Sequence, residues 1–180
     1  MYPDVIERRF ADALTAWDSA PTDTAEERLT GQVARIAIRI IAGQRDAARA
    51  ECERLAPTLQ AELARQPDSL RLLQQSSWVD VCRGRNAEAI ATARRAVALM
   101  PLERDAYNYG GNSLVGLAQI AARCGDADAA LPAIERLLSV PAGGVMSIER
   151  LKLDPVWDPL RNDERFRKLI AGAGQGNQGQ

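Results

Sequence analysis

Three glycines, Gly43, Gly84 and Gly125, recur at an interval of 41 residues, and an alanine follows each of them five residues later, at Ala48, Ala89 and Ala130. Each glycine separates two stretches whose apolar residues lie three and four apart, the spacing of a helix with one buried stripe. Equal spacing with the same local chemistry marks an internal repeat, here a helix, a tight turn and a second helix. Glycine supplies the turn because it enters left-handed backbone at no steric cost, and alanine lets the second helix approach the first closely.

The same periodicity predicts the remaining elements. A first amphipathic helix is expected over residues 3–18, with Ile6, Phe10, Ala13, Leu14 and Trp17 on one stripe. The next, over 25–42, turns Leu29, Val33, Ile36, Ala37, Ile40 and Ile41 inward and presents Arg28, Arg35 and Arg39 on what reads as a solvated face. A third runs from Asp46 towards Ala64, with a bend or restart near Ala56 because Pro57 removes a helical hydrogen bond. Helices over 70–83 and 87–100 flank Gly84, and a helix through Leu114 and Ala121 and one over 127–138 flank Gly125. Residues 101–110 form a longer connection and 140–146 a loop. Short helical pieces are expected at 147–152 and 163–170, and the glycine- and glutamine-rich tail 171–180 is expected to be disordered.

Composition agrees with close helix packing. Hydrophobic residues make up 46% of the 180 positions but aromatics only 4%, so the core is built from Ala, Leu, Ile and Val. With 23 basic and 24 acidic residues and no block of like charge, nothing favours direct binding of nucleic acid. No run approaches the roughly 18 apolar residues of a membrane span. Three dispersed cysteines, Cys52, Cys82 and Cys124, argue against a disulfide framework and for a reducing, cytoplasmic setting. With no histidine in the chain, no zinc spacing exists and most hydrolytic arrangements are excluded.

Other catalytic signals are equally weak. Cys82 and Cys124 stand at helix C-termini, where the helix dipole disfavours a thiolate. The GGNS stretch at 110–113 lacks the strand and lysine of a phosphate loop, and Asp163 and Glu164 sit where a helix start favours negative charge. The expectation is a chain that is not an enzyme and uses no cofactor or metal.

The segment Leu70–Pro101 resembles a tetratricopeptide repeat, a unit of about 34 residues, with Gly84, Ala89, Ala96 and Pro101 at its glycine, small-residue and proline positions. The unit from Gly111 fits through Leu114, Leu117, Ala118, Ala121, Gly125, Ala130 and Leu137. The longer interval of 41 places added turns at the end of the Pro57 helix and in PLERDAYNYG. In the first unit Gln32, Arg35 and Arg39 occupy family core positions. The resemblance implies an all-α fold, a right-handed α-solenoid of antiparallel helix pairs forming one domain over 1–170, with units at about 25–66, 69–101 and 105–141 and a cap at 147–170. Residues 100–170 are in addition similar to the C-terminal repeat region of bacterial multidomain regulators linked to kinase, winged-helix or cyclase domains. That likeness implies an interaction module of a signalling or transcription regulator, without its effector.

LDPVWDPLRNDERF reads as the cap. Asp154-Pro155 and Asp158-Pro159 each pair a helix-capping acid with a proline suited to a first helical turn, and Trp157, Leu160, Phe166, Leu169 and Ile170 would cover an open apolar face.

In the family, the first helix of each unit lines a concave peptide-binding surface. Those positions fall here on Arg71, Gln74, Trp78, Val81 and Cys82, on Asn112, Val115, Gln119, Ala122 and Arg123, and in the first unit on Val33, Ala37 and Ile40. Trp78 is the candidate anchor, its alternative being packing against a neighbouring unit, and Arg71 and Arg123 are candidates for a partner's carboxylates. The expected function is a scaffold for a peptide or protein segment. The alternative is self-association as a homodimer through the apolar stripe from Ile6 to Trp17.

Overall fold

A computed structural model describes residues 2–20, 22–106, 108–140 and 146–172. The described chain is all-helical, and its order is α1 (Tyr2–Ile6), α2 (Phe10–Asp18), α3 (Ala25–Ile41), α4 (Arg45–Arg65), α5 (Leu70–Arg83), α6 (Asn86–Leu99), α7 (Tyr109–Cys124), α8 (Ala127–Leu138), α9 (Ile148–Leu153), a 3₁₀ helix (Pro155–Leu160) and α10 (Glu164–Gly172). These helices fall into two compact units, residues 1–96 and 97–180, where the sequence suggests one repeat domain over 1–170. Residues 141–145 of the expected loop and 173–180 of the expected tail lie outside the described residues, and Ala171 and Gly172 finish α10.

The three repeat glycines make the same turn. Their φ angles are +76° at Gly43, +81° at Gly84 and +77° at Gly125. In each case the residue after the glycine donates its N–H to a carbonyl five residues back: Gln44 to Arg39 at 2.7 Å, Arg85 to Asp80 at 2.9 Å and Asp126 to Ala121 at 2.9 Å. This is the bonding of a Schellman helix end, which satisfies carbonyls that the helix leaves open. Ala48, Ala89 and Ala130 are all completely buried.

In the first unit α2 packs on α3, α3 packs on both α4 and α5, and α4 packs on α5. Ile36, Leu59, Leu72, Leu73 and Val79 form its solvent-free centre. α4 is 21 residues long where α6 has 14, so the first added turns extend α4 itself. It runs through Pro57 without a restart: Leu55, Ala56 and Leu59 are buried around the proline while its ring stays exposed, so the missing N–H is one lost bond on the solvent side.

The expected single helix over 3–18 is two helices. α1 ends in the same turn as the glycine sites, with Arg9 N–H bonded to Asp4 C=O at 2.7 Å, but Arg8 takes the left-handed position at φ +60°. An arginine there gives no signal in the sequence.

In the second unit α7 and α8 form a hairpin about Gly125, the 3₁₀ helix packs on α7, and α10 packs on α8 and α9. Trp157, Leu160 and Phe166 are fully or almost fully buried as expected of the cap, while Leu169 and Ile170 are only half-buried. Asp154, itself buried, accepts the Val156 N–H at 3.0 Å and starts the 3₁₀ helix. Asp158-Pro159 starts no second helix but lies inside this one, where Asp158 pairs with Arg161 at 2.6 Å. Asp163 opens α10 by accepting the N–H groups of Arg165 at 2.8 Å and Phe166 at 3.4 Å.

GGNS is the first turn of α7. The Gly110 and Gly111 N–H groups donate to Asp105 C=O, and a side chain at Gly110 would lie 2.5 Å from the Pro101 carbonyl oxygen.

Candidate functional site

The expected binding positions split by burial. Trp78 is only 6% exposed and Val81 not at all, Val115 and Gln119 are buried, and Cys82 and Ala122 are core. A buried ring presents no anchor, so of the two readings of Trp78 packing holds. Gln74 and Asn112 are exposed, and Arg71 and Arg123 are half-buried. In the first unit Val33 and Ile40 are buried and Ala37 half-buried.

The two candidate arginines are engaged within the chain. Arg71 Nε lies 3.0 Å from Glu26 and its Nη1 donates to Gln75 Oε1 at 3.1 Å; buried Gln75 in turn donates to Thr30 Oγ1 at 3.1 Å. This network ties α5 to α3. Burial pulls the Arg123 guanidinium below its ordinary pKa, and the Asp158 carboxylate opposes that shift, so the nearby acid is the chain's own.

Two arginines assigned to a solvated face are also structural. Arg39 reaches Glu51 of α4 at 2.9 Å, and Arg35 lies 3.6 Å from Asp18 of α2.

The cysteine reading is corrected. Cys52 of α4 and Cys82 of α5 form a disulfide with 6.3 Å between their Cα atoms, and Cys124 stands outside it. The bond joins consecutive helices through cysteines 30 residues apart in sequence. It removes the ground for expecting a reducing setting, since such bonds persist mainly where conditions are oxidising. Arg45 Nε adds a bond to the Cys82 carbonyl at 3.0 Å, and Arg83 Nε pairs with Glu53 at 3.0 Å. The α4–α5 contact is thus held covalently, by charge and by packing.

One concavity of the first unit lies where the long α4 passes the N-terminal half of α3 and the start of α5. It is an open groove of about 570 Å³. Its apolar lining is Leu29, Leu55 and Leu72, all largely buried, with the exposed Ala25. Thr58, Gln32 and Gln66 supply neutral polar groups, and Glu26, Glu51, Glu62, Arg28, Arg54 and Arg71 supply charge. α3 starts beside it on a capping box, Thr24 and Glu27 each accepting the other's N–H, which fixes where the Glu26 and Arg28 side chains begin.

The wall carboxylates are all paired: Glu26 with Arg71, Glu51 with Arg39 and Glu62 with Arg65 at 2.8 Å. Arg28 donates to the neutral carbonyls of Thr22 at 2.9 Å and Asp23 at 3.4 Å, and its charge helps hold the neighbouring Glu27 carboxylate below its ordinary pKa. Arg54 is exposed and has no hydrogen-bond or ion-pair partner among the described residues. The sequence hid this groove because its lining comes from three helices spread over residues 25–72 and from the ordinary polar faces of α3 and α4.

Among the described residues no cluster of cysteine, aspartate or glutamate forms a metal site, and no helix is long and apolar enough to cross a membrane. No family model, no curated protein and no solved structure matches the chain.

Proposed function

We propose that the chain is a tetratricopeptide-like scaffold whose helix pairs stack as an α-solenoid and bind a peptide or protein segment. The observation that carries this reading is the repeated turn: three glycines at one interval, in one conformation, each with the same carbonyl bond and a buried alanine five residues on. Units of this kind cannot bury an apolar face alone, and stacking them creates extended surfaces used for binding. The open groove of mixed polarity in the first unit supports recognition of a segment over enclosed chemistry.

Self-association has less support. Val5 and Ala13 are buried, and Ile6, Phe10, Leu14 and Trp17 are half-buried, with Trp17 lying over Gly31 of α3, so the first stripe is largely used within the unit. Selection of a random peptide library on the purified whole chain tests the scaffold. Enrichment of related peptides, with micromolar binding by fluorescence anisotropy, is expected; no enrichment from a library that performs on a control scaffold would refute it.

A further inference from the structure

We infer that the α3–α4–α5 groove takes an acidic peptide segment in which carboxylates flank an aliphatic side chain. This rests on the scaffold reading and adds to it the site and the chemistry of the partner. The carboxylates lining the groove are already neutralised by arginines, two of which, Arg39 and Arg65, do not line it. The lining itself carries three acids and three arginines, and because two of those acids pair with arginines outside it, Arg54 is left without an acidic partner among the described residues.

Two arginines of the lining hold no carboxylate by a hydrogen bond or ion pair. Arg28 on α3 bonds only neutral carbonyls, and Arg54 on α4 is exposed with no partner among the described residues. A guanidinium fork donates two parallel hydrogen bonds to a carboxylate, a pairing that a neutral amide reproduces poorly. The same groove is lined by Leu29, Leu55 and Leu72, which suits a leucine-sized side chain between the acids. A basic segment would meet Arg28 and Arg54 and find every carboxylate of the lining already paired.

The test uses the whole chain and three short fluorescein-labelled peptides: one alternating glutamate and leucine, its glutamine–leucine isostere and its lysine–leucine counterpart. The glutamate peptide is expected to bind about tenfold or more tighter than the isostere, as charge-assisted hydrogen bonds warrant, and to weaken as salt rises. Arg54→Glu should remove that preference and Arg54→Lys should keep part of it. Arg85→Glu, on the exposed turn between α5 and α6, should leave it unchanged. Arg54 is the decisive position because Arg28 also holds the chain entering α3.

Equal binding of the glutamine isostere, unchanged affinity in Arg54→Glu, or no binding of any of the three peptides would overturn the inference. Library peptides that are neutral or basic would overturn it too while leaving the scaffold reading intact. An empty library would remove the scaffold reading itself.

Discussion

Replacing the repeat glycines by alanine separates backbone conformation from packing, because the structure differs among them in one respect only. At Gly43 and Gly125 an added Cβ would meet nothing within 4 Å, so the whole cost is that of holding alanine at φ +76° or +77°. That cost is about 1–2 kcal/mol. At Gly84 the Cβ would lie 3.0 Å from Arg45 Nη2, and the same arginine holds the Cys82 carbonyl through Nε. Displacing it adds up to about 1 kcal/mol, the worth of one such bond. Gly31, inside α3 and not in the left-handed region, gives the opposite sign: its Cβ would meet Arg35 and Trp17 at ordinary distances of 3.6 and 3.7 Å. Gly31→Ala should therefore stabilise by about 0.5–1 kcal/mol. Urea unfolding followed by far-UV circular dichroism measures all four, and Gly→Asn at the three turns should cost less than Gly→Ala, since asparagine tolerates the left-handed region. Unchanged stability in Gly43→Ala and Gly125→Ala, or equal costs for asparagine and alanine, would refute the reasoning.

Three further outcomes follow from the same contacts. Reducing the Cys52–Cys82 bond, or replacing both cysteines by serine, should lower stability by about 3–4 kcal/mol from loop entropy at a separation of 30 residues; urea midpoints unchanged by reductant would contradict this. Asp163 is held down to about 2 by the Arg165 guanidinium and the N–H groups of Arg165 and Phe166. Its folded value lies below its unfolded one, so its stabilisation is present above the ordinary 3.8 and is lost as pH falls towards 2. Thermal melts of wild type and Asp163→Asn should then converge over that window. Asp154→Ala should cost about 1–2 kcal/mol by removing the cap on Val156, and Asp154→Asn, which keeps an acceptor oxygen, should cost less.

What could be read from the sequence, and what could not, divides by how local the cause is. Gly84 and Gly125 announce their turns because a left-handed residue with regular helices on both sides favours glycine, and α5 and α8 have the ends that their caps and stripes imply. Arg8 adopts the same conformation with no such signal, which is why the first helix breaks unannounced. The Cys52–Cys82 bond and the Arg39–Glu51 pair depend on α4 lying beside α5 and α3, a tertiary fact without a local trace. Trp78 looked like an anchor because it stands off the main stripe of its helix. α5, however, is packed on more than one side: Leu72, Leu73, Gln75, Val79 and Val81 are buried along with it.

Hydrogen exchange of the whole chain, read by mass spectrometry with and without a peptide enriched from the library, tests the central claim most directly. The expected result is slowed exchange concentrated in residues 25–72, which line the groove, with the chain's sedimentation otherwise unchanged. Saturating peptide that protects no segment of the described helices, or that acts only by producing a dimer, would contradict it.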